Sequence, residues 1–474
     1  MKLYISIIII IITFLGCKKD NQEVDTNYAY LGGEIINPNA NFIVLSKDEV
    51  VIDTVKLDGR NRFLYKIDNL NEGIYTFRHG GEYQIILLEQ KDSVLLRLNT
   101  LDFDESLVFT GEGDKKNNYL INDFLENEKE EKYIIKLCQL KPVNYQKHID
   151  SIKNKKVADF KSFKSKYETS PLFDKIAKAN IDYSYYSSKE VYPFVHYGKN
   201  KTEILKSLPN DFYNYRKNIN YNDTFFSNYH NYNIFLRNSF NNLSLKAHDA
   251  HSDNKIFNRN NLCYNLDRLE LIDSIITNTG IKEDLLYHYT INYLTKSEDE
   301  NGNNSILKSY LNKSKNEKAK NKISSLTKSI NKLKKGSVLP EISVLDYNNN
   351  STEIHSVLNN HSTVITFWSL GYYDHFKDSH KKIKELQIKY PEIKFVAINI
   401  DDYGIEKSKK LLLNHGYNIN NEYLFKNPKK ASKDLAIYPM TKSIVVDKNN
   451  KIVTSNTNIF SVHFEEELLG LLNK

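Results

Sequence analysis

Thiols, imidazoles and phenols are the side chains here whose spacing bears on chemistry. The chain has three cysteines, Cys17, Cys138 and Cys263. Cys138 and Cys263 are far apart and fall in no redox or metal-ligand spacing. They form either one disulfide, which an oxidising compartment permits, or two buried unpaired thiols. No cysteine follows Cys263. Thiol–disulfide exchange needs an attacking thiolate and a resolving thiol, so it is excluded from everything C-terminal to Cys263. Tyr372 and His375 stand three apart, a spacing that puts both on one helix face, but no orienting acid or nucleophile accompanies them. His355, His361, His375 and His380 include no pair four apart on one helix and have no cysteine ligands near them. No metal and no cofactor is expected.

The bulk properties frame these residues. The length of 474 residues implies more than one core. An apolar fraction of 40% with 26% charge is ordinary for a soluble globular chain. The net charge of +7 comes from scattered lysines, many between Lys308 and Lys335, without the aromatic interleaving that stacks on bases. No nucleic-acid partner is expected. The abundance of Asn, Lys, Ile and Tyr reads as compositional bias rather than function.

The elements that must position the candidate residues follow from pattern. After Lys2, Ile5 to Leu15 is a nearly unbroken apolar stretch. It is shorter than the ~20 residues a spanning helix needs but fits a signal h-region. A polar tether, Lys18-Lys19-Asp20-Asn21-Gln22, begins directly after Cys17. From residue 28 to 114, short β-rich runs (Phe42 to Leu45, Val50 to Leu57, Phe63 to Ile67, Gly73 to Phe77, Tyr83 to Leu88, Val94 to Leu98) alternate with turn residues and predict an antiparallel β-sandwich. From 115 to 335 the period becomes helical, as in Val157-Phe160-Phe163-Tyr167 and Leu285-Leu286-Tyr289-Tyr293, with Pro171, Pro193 and Pro209 as breakers. The dense aromatics from Tyr183 to Phe240 are either helix-packing side chains or a groove for glycan or peptide. From 336 to 474, buried-strand patterns at Thr363 to Trp368, Lys394 to Asp401 and Ser443 to Val446 alternate with helical runs, in the order β-α-β-α-β-β-α.

Three resemblances add to this reading. Phe14-Leu15-Gly16-Cys17 resembles the lipobox of bacterial lipoproteins. It implies a signal peptide over 1–17, lipidation of Cys17, a tether over 18–27, and a place in the cell envelope facing the periplasm or the exterior, with the membrane as partner through the lipid. The order Asp58-Gly59, Gly73-x-Tyr75, Lys91-Asp92 and Phe109-Thr110-Gly111-Glu112-Gly113 resembles a β-sandwich domain of unknown function that often precedes thioredoxin-like domains. The last segment, from Gly336-x-x-x-Pro340 through Phe367-Trp368 and Asn399-Ile400-Asp401 to the block Pro439-Met440-Thr441, resembles the TlpA-like, peroxiredoxin-related branch of thioredoxin-fold proteins. That resemblance implies a multidomain α+β chain closing in a thioredoxin-like α/β domain.

In active members of that branch, a Cys-x-x-Cys motif opens the helix after the Phe-Trp strand. Aligned from Phe367-Trp368, those positions hold Tyr372 and His375, so the motif is degenerate. The resemblance also implies a cis bond before Pro439 and a peptide groove made by Trp368, Tyr372, Tyr373, His375, Tyr438, Pro439 and Met440. The expected function is a lipid-anchored, non-catalytic envelope protein that binds an extended peptide or envelope protein, or serves as a scaffold. The alternative is a TlpA-like thiol-disulfide oxidoreductase using an unconventional site.

Overall fold

The computed structural model describes residues 27–252, 256–402 and 404–472. Cys17, the signal segment and the tether as far as residue 26 lie outside the described residues. The chain falls into two compact units that divide between Leu125 and Glu126.

The first unit contains β1 (Tyr28–Ile36), β2 (Phe42–Lys47), β3 (Val50–Lys56), β4 (Arg62–Asp68), β5 (Gly73–His79), β6 (Glu82–Leu88), β7 (Ser93–Asn99) and β8 (Val108–Glu112). They form two four-stranded sheets, ordered β4-β1-β7-β8 and β3-β2-β5-β6. Alternate residues of both sheets, including Leu31, Ile35, Leu45, Phe77, Leu96 and Phe109, share one core. The expectation of a purely antiparallel sandwich needs one correction. β1 and β7 pair in parallel, from Tyr30↔Ser93 to Ile36↔Asn99. The chain between them is long enough to return in the same direction, which a tight hairpin cannot do. Gly33 makes this pairing feasible, since a Cβ there would sit 2.1 Å from the Leu96 carbonyl oxygen.

Helices follow: α1 (Asp114–Leu137), α2 (Pro142–Lys166), α3 (Pro171–Val195), α4 (Lys201–Lys206), α5 (His230–Asp249), α6 (Leu262–Ile275), α7 (Thr279–Leu294), α8 (Glu300–Lys313) and α9 (Glu317–Lys332). The many asparagines acquire a structural use. Asn200, Asn261, Asn278 and Asn316 each accept a backbone N–H at a helix start, a cap that contributes about 1 kcal/mol relative to alanine. Pro171 opens α3, but Pro193 sits inside its last turn rather than ending it. The aromatics of this segment pack against one another. Tyr186 stacks on Tyr215 at 4.3 Å, Tyr183 meets Phe226, Tyr232 and Phe235, and Tyr232 and Phe235 are buried. Cys138 is buried and Cys263 exposed, and the two are not bonded. That corrects the pairing alternative and, for Cys263, the expectation of a buried thiol. Cys138 packs among Leu137, Tyr145, Ile149 and Tyr192, all of the helical segment.

The C-terminal part carries β9 (Ser343–Leu345), β10 (Ser351–Glu353), α10 (Ile354–Leu358), β11 (Thr363–Trp368), α11 (Tyr373–Lys389), β12 (Lys394–Asn399), α12 (Ile405–Asn414), β13 (Glu422–Phe425), α13 (Pro428–Asp434), β14 (Ser443–Val446), β15 (Ile452–Thr457) and α14 (Phe464–Leu472). One seven-stranded sheet results, ordered β10-β9-β13-β12-β11-β14-β15. β11, β12 and β13 run parallel, and β14 and β15 close one edge antiparallel. Every residue of β11 is buried. Ile365 and Phe367 enter one core with Val396, Ile398 and Leu333. Val364 and Trp368 enter the other with Phe395, Ile383 of α11 and Leu468 of α14. Leu326 and Ile330 of α9 pack on the first of these cores, so the Lys-rich helix covers one sheet face with its apolar stripe. This is a thioredoxin-like arrangement. β9, β10 and β13 extend it beyond the strand order expected from the sequence.

Candidate functional site

The sheet topology sets the site. β11 and β14 pair antiparallel up to Thr366↔Ser443. The end of β11, the start of α11 and the segment before Ser443 therefore meet at one end of the sheet. The Tyr438–Pro439 bond is cis, as the resemblance implies.

The loop after β11 is held by one carboxylate. Asp401 accepts from the Ser369 hydroxyl at 2.6 Å, from the Leu370 N–H at 2.6 Å and from the Asn399 amide at 3.1 Å. Ser369 Oγ in turn accepts the Gly371 N–H at 3.0 Å. The backbone between β11 and α11 is thus fixed by hydrogen bonds to Asp401 and Ser369.

Tyr372 and His375, which the resemblance aligns with a cysteine pair, do not act together. Tyr372, just ahead of α11, is 59% exposed. His375 turns inward, and its Nε2–H donates to the Phe367 carbonyl at 3.1 Å. Burial pushes its pKa below the usual histidine value. The pair sharing one face, as their spacing allowed, is therefore replaced by one outward phenol and one inward imidazole. Tyr373 donates to His415 Nε2 at 2.9 Å, because His415 Nδ1 is engaged with the Leu411 carbonyl. His355 and His361 bond elsewhere, to Leu339 and Asn359 carbonyls.

One groove residue is misplaced by sequence reasoning. Trp368 is 1% exposed and lies beneath the site rather than in its wall. β11 is covered on both faces, so its last side chain points into a core. Its indole N–H donates to Glu422 Oε2 at 3.0 Å, and the other oxygen of Glu422 lies 3.1 Å from His380 Nε2. Burial pushes the Glu422 carboxyl up. Met440 is half-buried against the core. Tyr372, Tyr373, Tyr438 and Pro439 remain exposed.

Lys442, three residues past Pro439, is another feature the sequence did not reveal. It is buried, and its Nζ donates to the carbonyls of Leu435 at 2.9 Å and Ala436 at 3.0 Å. Ala436 has a φ of 45°, a left-handed backbone that costs a non-glycine residue roughly 1 kcal/mol. The ammonium group bridges the two carbonyls of that turn. Burial pushes Lys442 down to about 7.

A second concave site lies among α5, α6 and α7. Its cavity of about 290 Å³ is lined by Arg237, Arg259, Arg268, His288 and Lys296 together with neutral residues, many of them asparagines. Among the described residues no carboxylate lines it. Arg268 is buried, lies over the rings of Tyr264 at 4.8 Å and Tyr289 at 4.0 Å, and donates to Asn241 and Asn265. Its Nε has no hydrogen-bond partner. Burial and the Arg237 charge push His288 down to about 4. Burial and the neighbouring Arg259 and Arg268 lower Lys296. Arg237 is paired with Asp284 at 3.2 Å, and the remaining positive charge of Arg259, Arg268 and Lys296 favours an anion in the cavity. The scattered spacing of these residues gave no sequence signal.

Fold and site together define a class: a multidomain α+β protein whose C-terminal sheet has a thioredoxin-like arrangement. No family model matches the chain, and no curated protein matches it. Solved structures similar to part of it include the thioredoxin domain of a thiol-disulfide oxidoreductase from Bacteroides vulgatus, 21% identical, covering 30% of this chain and 96% of that one at a TM-score of 0.25. A thiol:disulfide interchange protein from a Bacteroides species is 20% identical over 26% of this chain and 81% of that one, at a TM-score of 0.23. A thioredoxin-like protein from Bacteroides caccae is 14% identical over 45% of this chain and 78% of that one, at a TM-score of 0.33.

Proposed function

We propose that this chain is a lipid-anchored envelope protein whose thioredoxin-like domain binds extended polypeptide without redox chemistry. The observation that supports this most is the exposure of three tyrosines at the redox end of the sheet. Tyr372 is 59% exposed, Tyr438 50% and Tyr373 45%. Clustered aromatic surface beside a segment that lies beyond the β11–β14 ladder suits a peptide that pairs by its backbone and seats side chains on rings. The chemistry agrees, since phenol and imidazole cannot exchange disulfides. Titration of the full mature chain with an extended cysteine-free peptide is expected to give saturable binding that Tyr372→Ala and Tyr438→Ala weaken. No binding by the wild type removes this reading. The anchor is tested separately: Cys17→Ser is expected to abolish lipid labelling, and persistent labelling would contradict it.

The cationic cavity favours a second reading, in which the helical segment holds a small acidic ligand. The unpaired Arg268 Nε and the depressed His288 support it.

A further inference from the structure

The end of α5 and the start of α6 bring together two short patterns, His248-x-x-His251 and Cys263-x-x-x-Asp267. The spacing of four places Cys263 and Asp267 on one side of α6, while His248 lies in the last turn of α5 and His251 in the turn that follows it. One donor atom from each of the four residues falls in a group whose members all lie within 4.8 Å of one another. Asp267 Oδ2 is 3.1 Å from His248 Nδ1 and 3.1 Å from His251 Nε2. Cys263 Sγ is 3.9 Å from His251 Nδ1. Around a tetrahedral ion with bonds of ~2.0–2.3 Å, donors stand roughly 3.3–3.7 Å apart. The two Asp267–imidazole separations fall just short of that range, and the set as a whole lies within 4.8 Å. A small turn of the His251 ring and the Cys263 side chain therefore brings one nitrogen and the sulfur to it.

The supporting structure is ordered to suit. Asn261 caps α6 by accepting the Tyr264 N–H at 3.0 Å, which fixes the turn carrying Cys263 and Asp267. The His248 and His251 rings are nearly perpendicular, at 89°. Two imidazoles in that relation can aim at one point without stacking. Tyr264 meets the edge of His248, and Phe257 meets Tyr264. Hydrogen bonding alone accounts for Asp267 between two imidazoles. Cys263 Sγ lies against the other nitrogen of His251, and sulfur is a weak hydrogen-bonding partner, so that contact alone contributes little to gathering the four donors within 4.8 Å.

We infer that His248, His251, Cys263 and Asp267 form a zinc site that clips the end of α5 to the start of α6. Two imidazoles, one thiolate and one carboxylate form a donor set of intermediate softness, which suits Zn²⁺ and not Ca²⁺ or Mg²⁺. Four protein donors complete a tetrahedron, so the site is structural rather than catalytic. Coordination replaces the Cys263 proton with the metal bond and releases that proton to solvent. The expectation of no metal overlooked this set because its halves are separated by a connection, and each half alone is a weak signal. The proposal stands apart from the peptide reading, which uses different residues.

The test uses the full mature chain carrying Cys17→Ser, so that no terminal thiol competes. After chelation, Co²⁺ is titrated while the near-ultraviolet thiolate-to-cobalt charge-transfer band and the visible tetrahedral bands are followed. One ion per chain is expected, displaced by Zn²⁺. Cys263→Ser, at an exposed position, is expected to keep the circular dichroism of the wild type but lose the charge-transfer band. Asp267→Asn is expected to weaken binding at least ~10-fold. Absence of the band in wild type, or its persistence in Cys263→Ser, would overturn the assignment.

Discussion

His380 Nε2 lies 3.1 Å from Oε1 of Glu422 in the buried layer under the β11–α11 loop. His380 Nδ1 is 2.7 Å from the Phe376 carbonyl, which can only accept, so Nδ1 carries a proton. Burial pushes the Glu422 carboxyl up, and the contact with Nε2 is a hydrogen bond. The remaining oxygen of Glu422 takes the indole N–H of Trp368, the only tryptophan in the chain. Glu422→Gln can donate to Nε2 and accept from the indole, and should cost under about 1 kcal/mol. Glu422→Ala strands both partners and opens a void, at about 2–4 kcal/mol. Denaturant midpoints followed by Trp368 fluorescence check the order; equal losses would contradict it.

Asp401 should control the order of the loop between β11 and α11. Asp401→Ala removes the acceptor of the Leu370 N–H and of the Ser369 hydroxyl. Hydrogen exchange at Leu370 and Gly371 is expected to quicken ~10-fold, the equivalent of about 1.4 kcal/mol of lost local protection, while the β11 amides stay unchanged.

Lys442 gives a pH dependence whose direction follows from its burial. Its folded pKa of about 7 is below the ordinary 10.5. Between those values the unfolded chain binds more protons than the folded one, so stability rises with pH across that window. Lys442→Met should remove this rise, a difference of at most several kcal/mol at its upper end. The readout is the difference between wild-type and variant denaturant midpoints as pH is raised from about 7. A constant difference would contradict the assignment.

The cationic cavity predicts that an anion raises the pKa of His288 from about 4, because a negative charge beside the imidazole favours its protonated form. Inorganic phosphate is the probe, and the imidazole resonances of His288 are the readout. Arg259→Gln, at an exposed rim position, should weaken the effect. A His288 titration unmoved by phosphate removes the acidic-ligand reading.

What the sequence disclosed depended on how local each signal was. β11, β14 and α14 announce themselves by continuous apolar runs or clean helical spacing. β1 was hidden by Gly32-Gly33, whose missing side chains permit parallel pairing. β13 is four residues long and begins with Glu422, a charged residue that reads as surface until Trp368 and His380 are seen against it. Trp368 was placed in a groove by the resemblance, yet both sheet faces are covered. The zinc donors and the arginine cavity are assembled by packing between helices, which a linear pattern does not encode.

The most direct test of a binding rather than reacting thioredoxin-like domain is insulin-disulfide reduction. The full mature chain carrying Cys17→Ser is assayed with a dithiol donor. The predicted rate equals that of the donor alone. A rate above it would contradict a sulfur-free site at Tyr372 and His375.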